Sequence, residues 1–326
     1  MAVEHPDNSP VDSELLTEIS VSYYQDGDTQ EEIAKKFGLS RVKVGRLLKR
    51  AREEGIVEIT VKYHPVFSAK LEKQLVERFG LKRALIALDQ PDDESQRAQV
   101  ASLASNYLSS LIREGTVVTA GQGRNVAAVA QHVGVVPQKK CTFISGIGGI
   151  HDAGSAINAD HICRQLAKKY GGGSETLYAP AYVDDPLIKL AFMRNATVKG
   201  TFERARKADV ALVGVGDLNE KSHLVKLGWF KPQEIIEAKI TRGVVGDVGG
   251  YDFINARGEL VDTTMNGRVI GLSLTDLRRI PTVIAIASED SKALALLGAL
   301  RSGAIDVLAT SVANATSILN LDKQMP

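Results

Sequence analysis

Leu15, Leu16, Ile19 and Tyr23 recur at spacings of three and four, which marks one buried face and predicts a helix from Val11 to Gln25 that Asp26-Gly27-Asp28 stops. Thr29 followed three residues later by Glu32 is a capping box, and Ile33, Ala34 and Phe37 give a short second helix its inward stripe, closed by Gly38. Ser40 can cap a third helix, in which Val44, Leu47, Leu48 and Ala51 face inward until Glu53-Glu54-Gly55. Three helices with a glycine-containing turn before the third predict a helix-turn-helix. Val57, Ile59 and Val61 then alternate with Glu58, Thr60 and Lys62, as in a short strand forming a wing, and His64-Pro65 breaks the run. Phe67, Leu71, Leu75 and Phe79 recur every fourth residue and predict a linking helix whose stripe can pack against a symmetry mate.

Beyond residue 80 the pattern changes. Short β-branched runs end in glycine-rich or polar loops and alternate with helical patterns, which predicts a parallel α/β sheet. The strands expected are Thr116 to Ala120, Cys141 to Ile144, Val210 to Val213, Val283 to Ala287 and Asp306 to Ala309. The expected organisation is a loose tail over 1–10, a helix-turn-helix domain over 11–63, a linker helix over 64–80 and a larger α/β domain over 81–326.

A chain of 326 residues, 44% hydrophobic and 24% charged, can bury such cores and is too apolar for disorder. No stretch approaches the ~18 to 20 apolar residues of a membrane span, and the polar N-terminus has no signal-like apolar run. The two cysteines lack C-x-x-C spacing, so disulfides and thiolate zinc are not expected, and a reducing cytoplasm fits. Neither a metal nor a cofactor is expected. A net charge of +1 excludes a globally basic nucleic-acid binder, but charge is distributed unevenly. Six cations and no acid lie between Arg41 and Arg52, whereas acids outnumber bases 12 to 9 over residues 1–65. Arginines at the start of such a helix can take guanine O6 and N7 in the major groove while later lysines and arginines reach phosphates. Arg41, Lys43 and Arg46 are the candidate base readers, with Thr29, Gln30, Ser40, Lys49 and Arg50 as further operator DNA contacts.

In an open α/β sheet, ligands bind beyond the carboxyl ends of the strands, where glycine turns expose backbone N–H groups and helix N-termini favour anions. The loop Gly121-Gln122-Gly123-Arg124-Asn125 and the glycines Gly146 and Gly148 are candidate effector contacts, and neither a phosphate-loop nor a dinucleotide fingerprint is present. A small phosphorylated metabolite therefore fits better than a nucleotide. Asp247, read as part of a glycine-rich turn, could accept hydrogen bonds from ligand hydroxyls, and Lys292 could reach a phosphate. The loop from Tyr178 to Pro186 reads either as a cover for the pocket or as a connector, and Trp229 as loop packing.

Tyr23 to Ala34, Gly38 to Leu48, Ala208 to Gly216, Gly246-Asp247-Val248-Gly249-Gly250 and Asn266 to Leu272 together resemble the SorC family of bacterial sugar-responsive regulators. The match runs from about Val11 to Leu319. The resemblance implies a winged helix-turn-helix joined to a Rossmann-like domain resembling glucosamine-6-phosphate deaminase and ribose-5-phosphate isomerase, with the isomerase activity lost, and a homotetramer. Through the member that regulates autoinducer-2 uptake, it also implies effector contacts at Gly121 to Asn125, Asp247 and Lys292. Two places depart from the family pattern. Ser288-Glu289-Asp290 stands where Ala-Gly-Gly is usual, and Thr310-Ser311-Val312 where Thr-Asp-Glu is usual.

The function expected is that of a transcriptional repressor of a carbohydrate or polyol catabolic operon, not an enzyme, released by a phosphorylated sugar or polyol and acting as a dimer or tetramer. The rival is an active sugar-phosphate isomerase or deaminase carrying a DNA-binding arm, with Asp247 and Lys292 as acid and base. Against it stand the departures at 288–290 and the expectation that no His or Glu is well placed near the loops.

Overall fold

The computed structural model describes residues 10–57, 65–150, 156–219, 223–249 and 252–325. It divides into two compact units, Met1–Lys62 and Tyr63–Pro326. The expected tail before residue 10 and most of the expected wing strand, 58–62, lie outside the described residues.

The first unit contains α1 (Pro10–Tyr24), α2 (Gln30–Phe37) and α3 (Arg41–Glu53). Thr29 closes a reciprocal cap on α2. Its hydroxyl accepts from the Glu32 amide at 3.3 Å, while the Glu32 carboxylate accepts from the Thr29 amide at 2.8 Å. Gly38 ends α2 at φ 65°, a left-handed conformation that a side chain would strain, and Ser40 accepts from the Lys43 amide to start α3. Leu16, Ile19, Ile33, Val44, Leu48 and Ala51 form the core between the helices. Burying Val44, Leu47, Leu48 and Ala51 turns the opposite face of α3 outward.

The second unit begins with α4 (Pro65–Phe79), β1 (Arg83–Ala87), α5 (Asp93–Leu111), β2 (Val117–Ala120), α6 (Arg124–His132), β3 (Thr142–Ser145), α7 (Ala159–Tyr170) and β4 (Gly173–Glu175). It continues with α8 (Pro186–Arg194), α9 (Ala196–Arg206), β5 (Val210–Asp217), α10 (His223–Lys226), α11 (Pro232–Arg242), β6 (Val244–Val248), β7 (Asp252–Asn255) and α12 (Leu274–Leu277). It ends with β8 (Thr282–Ile286), a 3-10 turn (Asp290–Lys292), α13 (Ala293–Arg301), β9 (Val307–Ser311) and α14 (Val312–Gln324). The main sheet runs β1-β9-β8-β5-β2-β3-β4 with every neighbour parallel. Its central strands are apolar on both faces and are covered by helices on each side, as parallel pairing requires. From β2 the chain proceeds through β3 and β4 in one direction and then returns to β5, β8 and β9 in the other. The carboxyl ends of β2 and β5 therefore form a topological switch point, where an open sheet leaves a crevice.

Two expectations need correction. The stripe on α4 from Leu71 to Phe79 is not free for a symmetry mate, because Leu71 and Leu75 are buried in the core of the second unit and Phe79 packs against it, where α4 covers β1 and α14. Arg78 also binds Asp322 of α14 at 2.5 Å. The segment around Asp247 is a strand and not a turn: β6 pairs antiparallel with Val215–Asp217, the extended end of β5. Gly246 serves close backbone approach, since a Cβ there would collide with the Gly216 carbonyl oxygen.

Candidate functional site

On the first unit, Arg41, Lys43, Arg46 and Lys49 are all exposed along α3. The first three make no ion pair among the described residues. Lys49 lies 3.4 Å from Glu53, with both side chains exposed, and such a pair adds so little that the lysine can leave it for a phosphate. Arg50 is half-buried and held by Glu54 at 2.5 Å, so it is the least available cation of the set. Thr29 and Ser40 cap α2 and α3, which places both at helix starts. Gln30 lies over the middle of α3, where a Cβ on Gly45 would come within 3.4 Å of its Oε1. Val42 adds an apolar side chain, 67% exposed, between the candidate base readers.

On the second unit, a cleft of about 730 Å³ opens at the switch point. It is lined by the 122–126 segment, the extended end of β5, Asp247 and the 289–292 segment. Gly123 has φ 114°, which glycine tolerates, and it starts α6 without a side-chain cap. Asp247 is 4% exposed and lies against Gly216, where a Cβ would collide with its Oδ1, so glycine at 216 makes room for the carboxylate. Burial pushes the Asp247 carboxyl up to about 7, with Lys292 opposing the shift and Asp217 adding to it.

The structure brings Gln122, Gly123, Arg124, Asn125, Asp247 and Lys292 together in this cleft. Three other candidates are not among its lining residues. The Gly121 amide donates to the Leu212 carbonyl, the Gly146 amide to that of Ala120 and the Gly148 amide to that of Ile270. A Cβ on Gly148 would collide with the Pro180 carbonyl oxygen. Gly146 and Gly148 allow neighbouring chain segments to touch, and the amide donors of all three glycines are already used. The 178–186 segment is a connector, bridged to Gly149 and Val269, and Trp229 is buried against Tyr182.

Glu289 corrects the expectation that no glutamate stands near the loops. Its carboxylate, 13% exposed, accepts from Asn125 Nδ2 at 2.8 Å and pairs with Lys292 Nζ at 3.0 Å. Arg97 of α5 lies 3.5 Å away and Arg124 3.6 Å away. Burial alone would raise its pKa, but the Lys292 charge and the hydrogen bonds from Asn125 and Lys292 hold it at about 2. Sequence reasoning missed both Glu289 and Arg97 as site residues. The departure at 288–290 was the visible signal for the first, and nothing in the pattern of α5 marked the second.

The family model for a sugar-binding domain matches residues 63–320, and a helix-turn-helix model matches 19–60. The full-length sorbitol operon regulator SorC of Klebsiella pneumoniae superimposes with a TM-score of 0.71 at 29% identity, covering 95% of this chain and 99% of that one. The chain belongs to the SorC family. Within this family it is also similar to the transcriptional regulator LsrR of Enterobacter sp., at 28% identity over 95% of this chain and 94% of that protein. The sugar-binding domain of a Vibrio fischeri transcriptional repressor is 59% identical over 78% of this chain and 99% of that one, with a TM-score of 0.74. This SorC-family chain is thus a transcriptional regulator with a helix-turn-helix unit and a sugar-binding unit. No helix among the described residues is long and apolar enough to cross a membrane.

Proposed function

We propose that the protein is a repressor of a carbohydrate or polyol catabolic operon and that a phosphorylated sugar or polyol releases it from its operator. The observation that carries this reading is one chain holding both an exposed basic α3 and a polar cleft at the sheet's switch point. The names of the relatives favour a sugar-operon role, and one is called a repressor. At the cleft, Lys292, Arg124, Asn125 and the uncapped start of α6 suit a phosphate, and Asp247 suits ligand hydroxyls. A single DNA-binding unit makes few contacts, so a dimer or tetramer on paired half-sites is the acting species.

The test is fluorescence anisotropy of the full chain on DNA from upstream of the genes next to its own, titrated with sugar phosphates and their free sugars. One phosphate should release the protein and its free sugar should not. Release by the free sugar at the same concentration would replace the phosphate reading with that of a neutral-polyol sensor. A second reading draws on Asp247, whose carboxyl near 7 beside Lys292 suits proton transfer. Under the regulator reading, NMR of the same mixtures shows the sugar phosphate unchanged, whereas turnover favours an isomerase or deaminase.

A further inference from the structure

The cationic end of the cleft already holds an anion supplied by the chain itself. Four groups from three separate parts of the fold converge on the Glu289 carboxylate: Arg97 from α5, Arg124 and Asn125 from the start of α6, and Lys292 from its own 3-10 turn. The partners are themselves ordered for this task. Ser288 donates to Asn125 Oδ1 at 2.8 Å, which fixes the amide so that its nitrogen faces Glu289. The backbone carbonyl of Glu289 is held as well, accepting from Asn314 Nδ2 at 3.1 Å and from the Lys292 amide at 3.2 Å. A carboxylate and a phosphate compete for the same donors, since both present planar or trigonal arrays of anionic oxygens to ammonium, guanidinium and amide N–H groups. Asp247, nine-tenths buried and lining the same cleft with no hydrogen bond to its carboxylate among the described residues, leaves the hydroxyl-binding side unfilled while the anion side is filled.

We propose that Glu289 is the specificity-determining residue of the anion end, an internal competitor that occupies the position of the effector's phosphate and leaves it when the phosphate binds. The proposal rests on the phosphorylated-effector reading above and adds a threshold to it. A ligand can take the donors only in molecules where Glu289 has left them, so apparent affinity falls by the fraction of molecules in that open state. A sugar without a phosphate cannot displace the carboxylate and gains nothing at this end. Displacement also breaks the carboxylate's ties from the 288–292 segment to α5 and α6, so binding at the cleft is tied to release of that side chain from both helices.

The experiment is calorimetric titration of the full-length protein with inorganic phosphate, comparing wild type, Glu289→Gln and Glu289→Ala. Removing the charge should tighten phosphate binding by roughly tenfold or more in both variants. Equal affinity in wild type and variants would overturn the competitor role while leaving the phosphate cleft standing. Absence of phosphate binding in all three, with a free polyol bound by wild type, would overturn the phosphate reading itself.

Discussion

Asp247 and Glu289 stand in one cleft with opposite electrostatics, and the contrast follows from their partners. Glu289 is surrounded by donors and stays ionised, so the stability it contributes is present above about pH 4.5 and is lost only as pH falls toward 2. Asp247 is buried with no hydrogen bond to its carboxylate among the described residues, and its folded pKa of about 7 lies above the usual carboxylate value. Its contribution therefore has the reverse sign, being fully present below about pH 4 and lost as pH rises through 7. The rise from the usual carboxylate value to about 7 corresponds to at most about 4 kcal/mol. Asp247→Asn should leave thermal stability near pH 4 unchanged and raise Tm at pH 8 by about 5 to 10 °C, flattening the profile between. Scanning calorimetry across that range checks it, and an unaltered slope would mean that the carboxyl is ionised throughout. The same carboxyl should accept ligand hydroxyls best above pH 7, so the residue that weakens the empty protein is the one suited to the effector.

At the scale of elements, α3 shows what helical spacing settles. Four inward apolar positions fix which face is buried, and every remaining cation follows from that. Arg46→Ala should weaken operator binding by ~1 to 3 kcal/mol while scarcely changing affinity for scrambled duplex. Lys49→Ala should lower both, and Arg50→Ala should lower both by less, because Glu54 already holds that guanidinium. Anisotropy at fixed salt separates the three, and loss of equal size on both duplexes for Arg46→Ala would reassign it to the phosphates. The helix-turn-helix was legible because its caps and stripes are local in sequence. The five strands foreseen were legible for a similar reason, since each apolar run ends in a glycine or polar loop. The other strands were not. Gly173–Glu175 has no apolar residue to reveal it, and β6 contains a buried aspartate whose strand character comes only from pairing with β5. The anion end of the cleft was half legible: Arg124, Asn125 and Lys292 could be named, but Asn125 and Glu289 are 164 positions apart and meet only because β2 and β8 both end near the switch point. Gly146 and Gly148 misled for the converse reason, because glycine in a strand-end loop serves chain contact as readily as ligand contact.

For the whole molecule, regulation is a coupling between two binding equilibria, and its size is constrained whatever the path between them. An effector can release DNA only through a difference in its affinity for the free and the operator-bound protein. If saturating effector weakens operator binding by some factor, operator must weaken effector binding by the same factor. Typical couplings are ~1 to 3 kcal/mol, or about 5- to 150-fold. Glu289 enters this balance through the open and closed states of the 288–292 segment. Glu289→Gln should lower the effector concentration needed for half-release while leaving the apo-protein's operator affinity unchanged, provided that the open and closed states of the 288–292 segment bind DNA equally in the absence of ligand. If the open segment is itself the released state, the same variant should bind operator more weakly with no effector present, because the substitution then mimics part of what the effector does. Two titrations distinguish these cases: operator into apo wild type and apo Glu289→Gln by anisotropy, and effector into each protein with and without saturating operator by calorimetry. In either case the two coupling factors measured on one protein must agree. A protein in which effector abolishes operator binding while operator leaves effector affinity unchanged would show that release proceeds through some further equilibrium, such as a change of assembly state, and the same titrations repeated across protein concentration would expose it.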